Sequence, residues 1–414
     1  MAGSLESDPV VAWPQKPGLV SPSIVTEGDI CTVTFYWQDP AGGELTSPVK
    51  RVWIYITGVT DHHQPRAPQS LQRIDGSDVW QWQVRLNASW RGSYCLIPST
   101  SENDFSAAAL QQPPDRTALR EGWRKLLPQA IADPLNPNSW QGGRGHPASA
   151  LHLPQAPAQP GWDKNETEFT APRCIQWQSQ RLGNQRRVWL FTTGESPQPL
   201  PLPLAILLDG KFWAEQMPVW PALQAETNCG HLPPAVYLLI DAIDTQHRGQ
   251  ELTCNPDFWL AVQEELLPLL STQVSWRDDA TTTVVAGQSF GGLSALYAGL
   301  HWPQRFGCVL SQSGSFWWPH RQKMGEPGWL AEQLTKGLGK GSPLRIYLEA
   351  GLREPVILRA NQHIYPLLQR AHPSLHYRLF DGGHDALCWR GGLINGLTTL
   401  WQPFHLSGVF DGTE

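Results

Sequence analysis

The sequence predicts two parts of different class. The N-terminal part reads as an all-β sandwich of immunoglobulin-like type. The C-terminal part reads as an α/β domain on a doubly wound sheet. Three observations carry this. Up to about residue 100, apolar and polar residues alternate at a period of two, with little helical periodicity. From Cys174 onward, continuous apolar runs of strand length alternate with helical stretches, as in a parallel sheet covered on both faces. Between them Leu153–Gly161 reads LPQAPAQPG, a Pro-rich stretch suited to an extended connection. The expected division is residues 1–152, a linker over 153–173, and a second domain over 174–414.

In chain order, residues 1–25 form an irregular lead-in. Cys31–Trp37, Val49–Thr57, Val79–Leu86 and Trp90–Ile97 are the expected strands. The third is the clearest: Trp80, Trp82, Val84 and Leu86 point one way, and Gln81, Gln83 and Arg85 the other. Asp39-Pro40-Ala41-Gly42-Gly43 and Asp75-Gly76 are turns. Asp61-His62-His63 invites a metal reading, but no further ligands cluster nearby, so a loop after a strand is the expectation. Residues 98–173 are mostly irregular, with a short Pro-interrupted helix over Glu121–Ala132. Gly142-Gly143-Arg144-Gly145-His146-Pro147 is a turn.

In the second part the expected strands are Arg187–Thr192, Leu204–Leu208, Val236–Asp241, Thr282–Ala286, Gly307–Ser311, Leu344–Leu348 and His376–Phe380. The expected helices are Pro256–Leu270, Leu293–His301, Ile357–Ala371 and Leu393–Trp401.

Composition narrows the function. The chain has 414 residues, of which 16% are charged and 21 are Trp, so it can bury large cores and an ordered chain is expected. A net charge of −6 argues against generic binding to nucleic acid or anionic membrane. No apolar run reaches membrane-spanning length. The seven cysteines are scattered, odd in number and free of C-x-x-C, which suits reduced thiols in the cytoplasm. The N-terminus shows no secretory leader pattern. Oligomeric state is not legible.

The chemistry concentrates at Thr281–Gly292, TTTVVAGQSFGG. A β-branched run ends in G-x-S-x-G and a helix-like segment follows. This is the nucleophile elbow of α/β-hydrolases. The serine sits on a tight, strained turn that needs small neighbours, and Gly287 and Gly291 fit that need. The helix N-terminus behind Ser289 offers N–H groups and a positive dipole end, so Phe290 N–H is a natural oxyanion donor. A second donor should follow Leu204–Leu208, where Lys211 N–H stands just after Asp209-Gly210.

The hydrolase order of nucleophile, acid, histidine directs the remaining search. His384, in Asp381-Gly382-Gly383-His384-Asp385 after a strand, is placed to act as general base and then general acid. Gly382-Gly383 supply the turn. His301, His320, His363 and His372 are the other downstream candidates. Glu354, in the loop past Gly351, is the expected acid, and Glu349 at the strand end competes with it.

Several segments together resemble one family. GQSFGG at 287–292, SQSGSFWW at 311–318, LLDGKFW at 207–213, DAIDTQHRGQE at 241–251 and DGGHDALCWRGG at 381–392 look like the enterochelin (enterobactin) esterases. KRVWIYITGVTDHHQ and GWRKLLPQAIADPLNP resemble the N-terminal domain of its cytoplasmic members. The resemblance covers nearly the whole chain, in order. It implies hydrolysis of the trilactone of a ferric catecholate siderophore to 2,3-dihydroxybenzoylserine, with iron made available in the cell. No cofactor is implied, since iron arrives with the substrate. Such a substrate is a bulky aromatic anion, so local cations and flat rings should meet it. Arg248, Arg390, Trp317, Trp318 and Trp389 lie near the three expected active-site loops. Two other readings stay open: an esterase acting on another aryl or acyl ester, and a non-enzymatic siderophore-binding protein.

Overall fold

The computed structural model describes residues 18–140, 142, 145–163, 171–194, 201–320 and 326–407. Most of the expected lead-in, positions 143 and 144 of the expected 142–147 turn and residues 164–170 of the expected linker lie outside them. The described residues form two compact units. The first comprises the chain up to Pro157 together with Asp381–Leu387. The second comprises Ala158–Phe380 and the chain from Cys388.

The first unit holds strands β1 (Ser23–Glu27), β2 (Ile30–Gln38), β3 (Arg51–Ile56), β4 (Gln69–Arg73), β5 (Val79–Asn87), β6 (Arg91–Ser99), β7 (Ser139–Trp140) and β8 (Ala148–His152). They run in one antiparallel order, β1-β2-β5-β4-β3-β6-β8-β7. β4 is shared: Gln69–Leu71 pair with β3, and Gln72 and Arg73 pair with β5. Val33 and Phe35 of β2, Ile54 of β3, Val84 of β5 and Leu96 of β6 belong to one apolar cluster. The strands therefore enclose a core as a sandwich would, but through a continuous strand order rather than two separate immunoglobulin sheets.

The all-β expectation is also incomplete. A helix spans Arg116–Leu126, with Asp115 capping it by accepting from Ala118 N–H. Its Trp123 is buried against Trp53 and Tyr55 of β3 and against Phe105. A second core thus lies between helix and sheet. Aromatic residues were legible in β3, but its two buried faces were not, because alternation marks only a half-exposed strand.

Asp61-His62-His63 forms a bonded turn. Asp61 is fully buried and accepts from Gly58 N–H at 3.1 Å, and Tyr55 Oη lies 2.7 Å from His62 Nδ1. The start of the Pro-rich stretch is docked on strand ends: Leu153 N–H donates to Trp90 O and Gln155 N–H to Ala88 O.

The second unit holds β9 (Arg173–Ser179), β10 (Asn184–Thr193), β11 (Leu204–Leu207), β12 (Ala235–Ile240), β13 (Thr283–Gln288), β14 (Cys308–Gln312), β15 (Arg345–Gly351) and β16 (Leu375–Phe380). Their order is β16-β15-β14-β13-β11-β12-β10-β9. The six from β16 to β12 are parallel, and β10 and β9 add an antiparallel edge. The β12, β13 and β14 strands are buried throughout, which is why they read as unbroken apolar runs. The helix Phe290–His301 is buried along Gly291–Leu300 and runs through the core. The expected helix Pro256–Leu270 is interrupted by a π turn at Val262–Leu266. Pro268 cannot donate an N–H, and its ring crowds the carbonyl four residues back, which opens the ladder there.

Among the described residues, no helix is long and apolar enough to cross a membrane.

Candidate active site

The centre of the second unit is the step from β13 to the helix Phe290–His301. Ser289 occupies it with φ 58° and ψ −119°. A non-glycine residue held there costs about 1–3 kcal/mol, so its surroundings must over-determine it. They do. Ser289 N–H donates to Gln312 O at 3.0 Å, and Ser289 O accepts from Leu293 N–H and Ser315 N–H, each at 3.1 Å. Ser289 Oγ lies 3.2 Å from Ser315 Oγ. Phe290 is the first residue of the helix, where a backbone N–H has no acceptor within the helix.

The glycines around the turn do different jobs. A Cβ on Gly287 would stand 2.3 Å from the carbonyl carbon of Gly291. A Cβ on Gly291 would meet only ordinary contacts, the nearest being Asp209 Oδ2 at 3.5 Å. Gly292 is tight again, 2.7 Å from Ser311 Oγ and 3.0 Å from Gly314 Cα. The expectation that Gly287 and Gly291 both supply room is thereby corrected: the room at 291 is needed by its backbone, and the second demanding position is Gly292.

β11 pairs with β13 in parallel, Leu207 opposite Ala286, so the loop Asp209-Gly210-Lys211 emerges beside the elbow. Asp209 has φ 56°, and a Cβ on Gly210 would stand 2.7 Å from Ile240 N. Arg248 locks this loop. Its Nε and Nη2 donate to the two Asp209 carboxylate oxygens at 2.7 and 2.9 Å, and Nη2 reaches Gln288 O at 3.2 Å. Burial works against the guanidinium charge, but the Asp209 carboxylate offsets it and holds Arg248 above its ordinary pKa. The sequence reading assigned Arg248 to the anionic substrate and gave it no partner within the chain. The structure ties it across the expected oxyanion loop and the strand end before Ser289. Lys211 itself is exposed at its side chain, and its backbone opens a helical turn.

Beneath the elbow a chain of buried polar side chains crosses the sheet. Trp213 Nε1 donates to Gln288 Oε1 at 3.1 Å, Gln288 Nε2 to Gln312 Oε1 at 2.8 Å, and Gln312 Nε2 to Glu349 Oε1 at 2.6 Å. Glu349 is fully buried, with Tyr347 Oη at 3.4 Å and Arg378 Nη1 at 3.5 Å. Burial pushes its carboxyl up to about 7, against the pull of the long Arg378 pair. The other candidate acid, Glu354, is 2% exposed and precedes the helix Pro355–Ala371. Its Oε2 accepts from Gly351 N–H at 2.6 Å and Ser313 Oγ at 2.7 Å. Ser313 Oγ in turn accepts from Trp389 Nε1 at 2.9 Å.

The remaining candidates fall into place around this frame. The Trp317 ring lies 5.9 Å from that of Phe290. Trp318 packs edge-on against Trp329. Arg390 Nε donates to Gln159 Oε1 at 2.5 Å, and its guanidinium lies 5.3 Å over the Trp162 ring. Both tryptophans at 317 and 318 pack on the main core cluster.

His384 belongs to the segment that joins the first unit. Its ring lies 5.5 Å from that of His63. Asp385 beside it is 2% exposed and accepts through Oδ2 from Ser93 N–H at 2.7 Å and Ser93 Oγ at 2.8 Å. Neither Gly382 nor Gly383 has a positive φ. The chain bends at Asp381, Gly382 and His384, and a Cβ on Gly383 would stand 2.5 Å from Gly58 N, so this glycine also answers to close backbone approach.

Gln288, Gln312, Ser313 and Ser315 were not singled out from the sequence. Their signal was faint: polar residues at the ends of otherwise apolar strands, which mean little until the strand order is known.

With this geometry in hand, comparison with known proteins is informative. Residues 32–162 match the family described as "Enterochelin esterase, N-terminal", and residues 179–400 the family described as "Putative esterase". The Iron(III) enterobactin esterase of Escherichia coli O6:H1 is 63% identical over 374 residues, covering 90% of this chain and 92% of that protein. The crystal structure of ferric enterobactin esterase from Salmonella typhimurium superposes with a TM-score of 0.89 at 61% identity, covering 93% of this chain and 97% of that one. The Shigella flexneri enterobactin esterase, solved in the presence of enterobactin, superposes with a TM-score of 0.82 at 60% identity, covering 93% and 96%. A strained serine elbow on a parallel sheet, two matching families in order and identity above 60% lead to one assignment: the chain is a carboxylic ester hydrolase and belongs to the enterobactin esterase family.

Proposed function

We propose that this chain hydrolyses the trilactone ester bonds of ferric enterobactin to 2,3-dihydroxybenzoylserine units and so makes iron available in the cytoplasm. Ser289 Oγ attacks the ester carbonyl, and His384 takes the hydroxyl proton. The tetrahedral oxyanion is held by Phe290 N–H and Lys211 N–H. His384 returns the proton to the leaving serine hydroxyl, leaving an acyl-Ser289 ester. Water, deprotonated by the same histidine, then releases the carboxylate. Glu354 orients His384 and stabilises its imidazolium.

Arg248, tied to Asp209, positions the Lys211 loop. Trp317 beside Phe290 offers a flat face to a catecholate ring. Trp318, Trp389 and Arg390 have internal partners and shape the surrounding wall. No step uses a resident metal or cofactor, and the iron is cargo.

The observation that carries the hydrolysis is Ser289, held at φ 58° by three backbone hydrogen bonds at the head of a helix. The substrate is supported by the likeness to iron(III) enterobactin esterase and to an enterobactin esterase solved in the presence of enterobactin. The test is chromatography of products after incubation with ferric enterobactin. Dihydroxybenzoylserine and its short oligomers should form with the native chain and be absent with Ser289→Ala. A folded Ser289→Ala chain with native turnover would overturn the mechanism. Hydrolysis of aryl esters alone would overturn the substrate.

A further inference from the structure

We infer that Ser93, acting through Asp385, is a positioning residue for His384, so that the N-terminal part of the chain takes part in ester hydrolysis on any substrate. The inference rests on the reading of His384 as general base. It goes beyond it by assigning the support of that base, through Asp385, to a residue 292 positions before that aspartate in the chain.

The segment Asp381–Leu387 lies between β16 and the body of the helix Ala386–Ser407. It is held at three points by residues in β6 and at the ends of β3 and β5. At its start, Asp381 Oδ2 accepts from Ser89 Oγ at 3.1 Å, and Asp381 O from Arg91 N–H at 3.2 Å. Immediately before the histidine, Gly383 presses on the backbone of Thr57 and Gly58 so closely that no Cβ would fit. Immediately after it, Asp385 Oδ2 accepts two hydrogen bonds from Ser93. His384 is therefore bracketed on both sides by fixed backbone.

Ser93 is itself anchored. Its carbonyl accepts from Thr57 N–H at 3.0 Å, and its Oγ lies 3.3 Å from Thr57 Oγ1. A buried carboxylate is retained only with such donors, since an uncompensated one is strongly disfavoured. Asp385 uses Oδ2 on Ser93 and Oδ1 on Leu387 N–H at 3.0 Å, so it fastens the loop at both ends of the carboxylate. A general base displaced by about 1 Å loses on the order of a hundredfold in rate, which makes this clamp consequential.

The test uses the full chain with a neutral aryl ester and with ferric enterobactin. Ser93→Ala removes the hydroxyl donor and keeps the backbone one. It should lower kcat about tenfold on both substrates, with KM within about twofold. Asp385→Ala removes the clamp and should lower kcat about a hundredfold. Asp385→Asn keeps an amide oxygen for Ser93 and should recover part of that loss, giving the order Asp, Asn, Ala. If Ser93→Ala fails to fold by circular dichroism, the two Asp385 variants decide. Native kcat in Ser93→Ala or Asp385→Asn, with His384→Ala inactive, overturns the positioning role. A loss confined to KM for ferric enterobactin also overturns it, in favour of a substrate contact. An active His384→Ala overturns the base assignment instead.

Discussion

Gly287 and Gly291 face each other across the nucleophile turn, with the position of a Cβ on the first only 2.3 Å from the carbonyl carbon of the second. The contact is backbone against backbone, so no side chain can yield to relieve it. Gly287→Ala should therefore destabilise the chain by about 3 kcal/mol, the upper end for overpacking, and slow labelling of Ser289 by a fluorophosphonate probe. Gly291→Ala has space and lies in a helix, where alanine is favoured by up to about 1 kcal/mol. It should fold and label as the native chain does. Equal damage from the two would show that the motif's spacing, and not this contact, sets the requirement.

Arg248 and Asp209 supply the second prediction. A bidentate pair with side chains 27% and 19% exposed is partly desolvated, so its coupling should exceed that of a surface pair. A double-mutant cycle with Arg248→Ala and Asp209→Ala should give about 1–2 kcal/mol of interaction in the activation free energy. The loss should fall on kcat and be alike for ferric enterobactin and a neutral aryl ester, because the pair fixes the loop that carries Lys211 N–H. Arg248→Lys should not restore it, since an ammonium cannot span both oxygens. A rise in KM confined to the ferric substrate would make Arg248 a direct substrate contact.

These two cases show what was legible in the chain. The elbow and the parallel strands were, because β-branched runs and G-x-S-x-G are local patterns. The segment around His384 could also be located, since it follows a strand. Its support could not, because Ser93 and Asp385 meet only through tertiary structure. The helix Arg116–Leu126 was half-seen as Glu121–Ala132. Its true start at Arg116, marked by Asp115 as the N-cap, lies five residues before the first position read as helical. Arg248 was read as a cation for the anionic substrate, and its pairing with Asp209 was not legible because Asp209 lies on a different loop. The same is true of Gln288, Gln312 and Glu349, which become one network only once β13, β14 and β15 are known to be adjacent.

The two glutamates give the last prediction. Glu349 sits at about 7 in the folded chain, against an ordinary 4.5, chiefly because it is buried. The folded state then holds a proton that the unfolded chain releases first. Below about pH 4.5 both states are protonated and the group is neutral to stability. As pH rises toward 7 the unfolded state gains, so stability is lost across that window. The loss is bounded at roughly 3 kcal/mol for a shift of this size. Glu349→Gln cannot ionise and should remove this term. Urea unfolding at several pH values should show the variant gaining on the native chain between pH 4.5 and 7, with little change in kcat. Glu354→Gln should do the reverse. Its carboxylate is held by Gly351 N–H and Ser313 Oγ, and losing its charge should lower kcat a hundredfold or more with KM nearly constant. If Glu349→Gln carries the large kcat loss and Glu354→Gln does not, the role of orienting acid passes to Glu349. If neither does, the histidine works without a carboxylate, as a Ser–His pair.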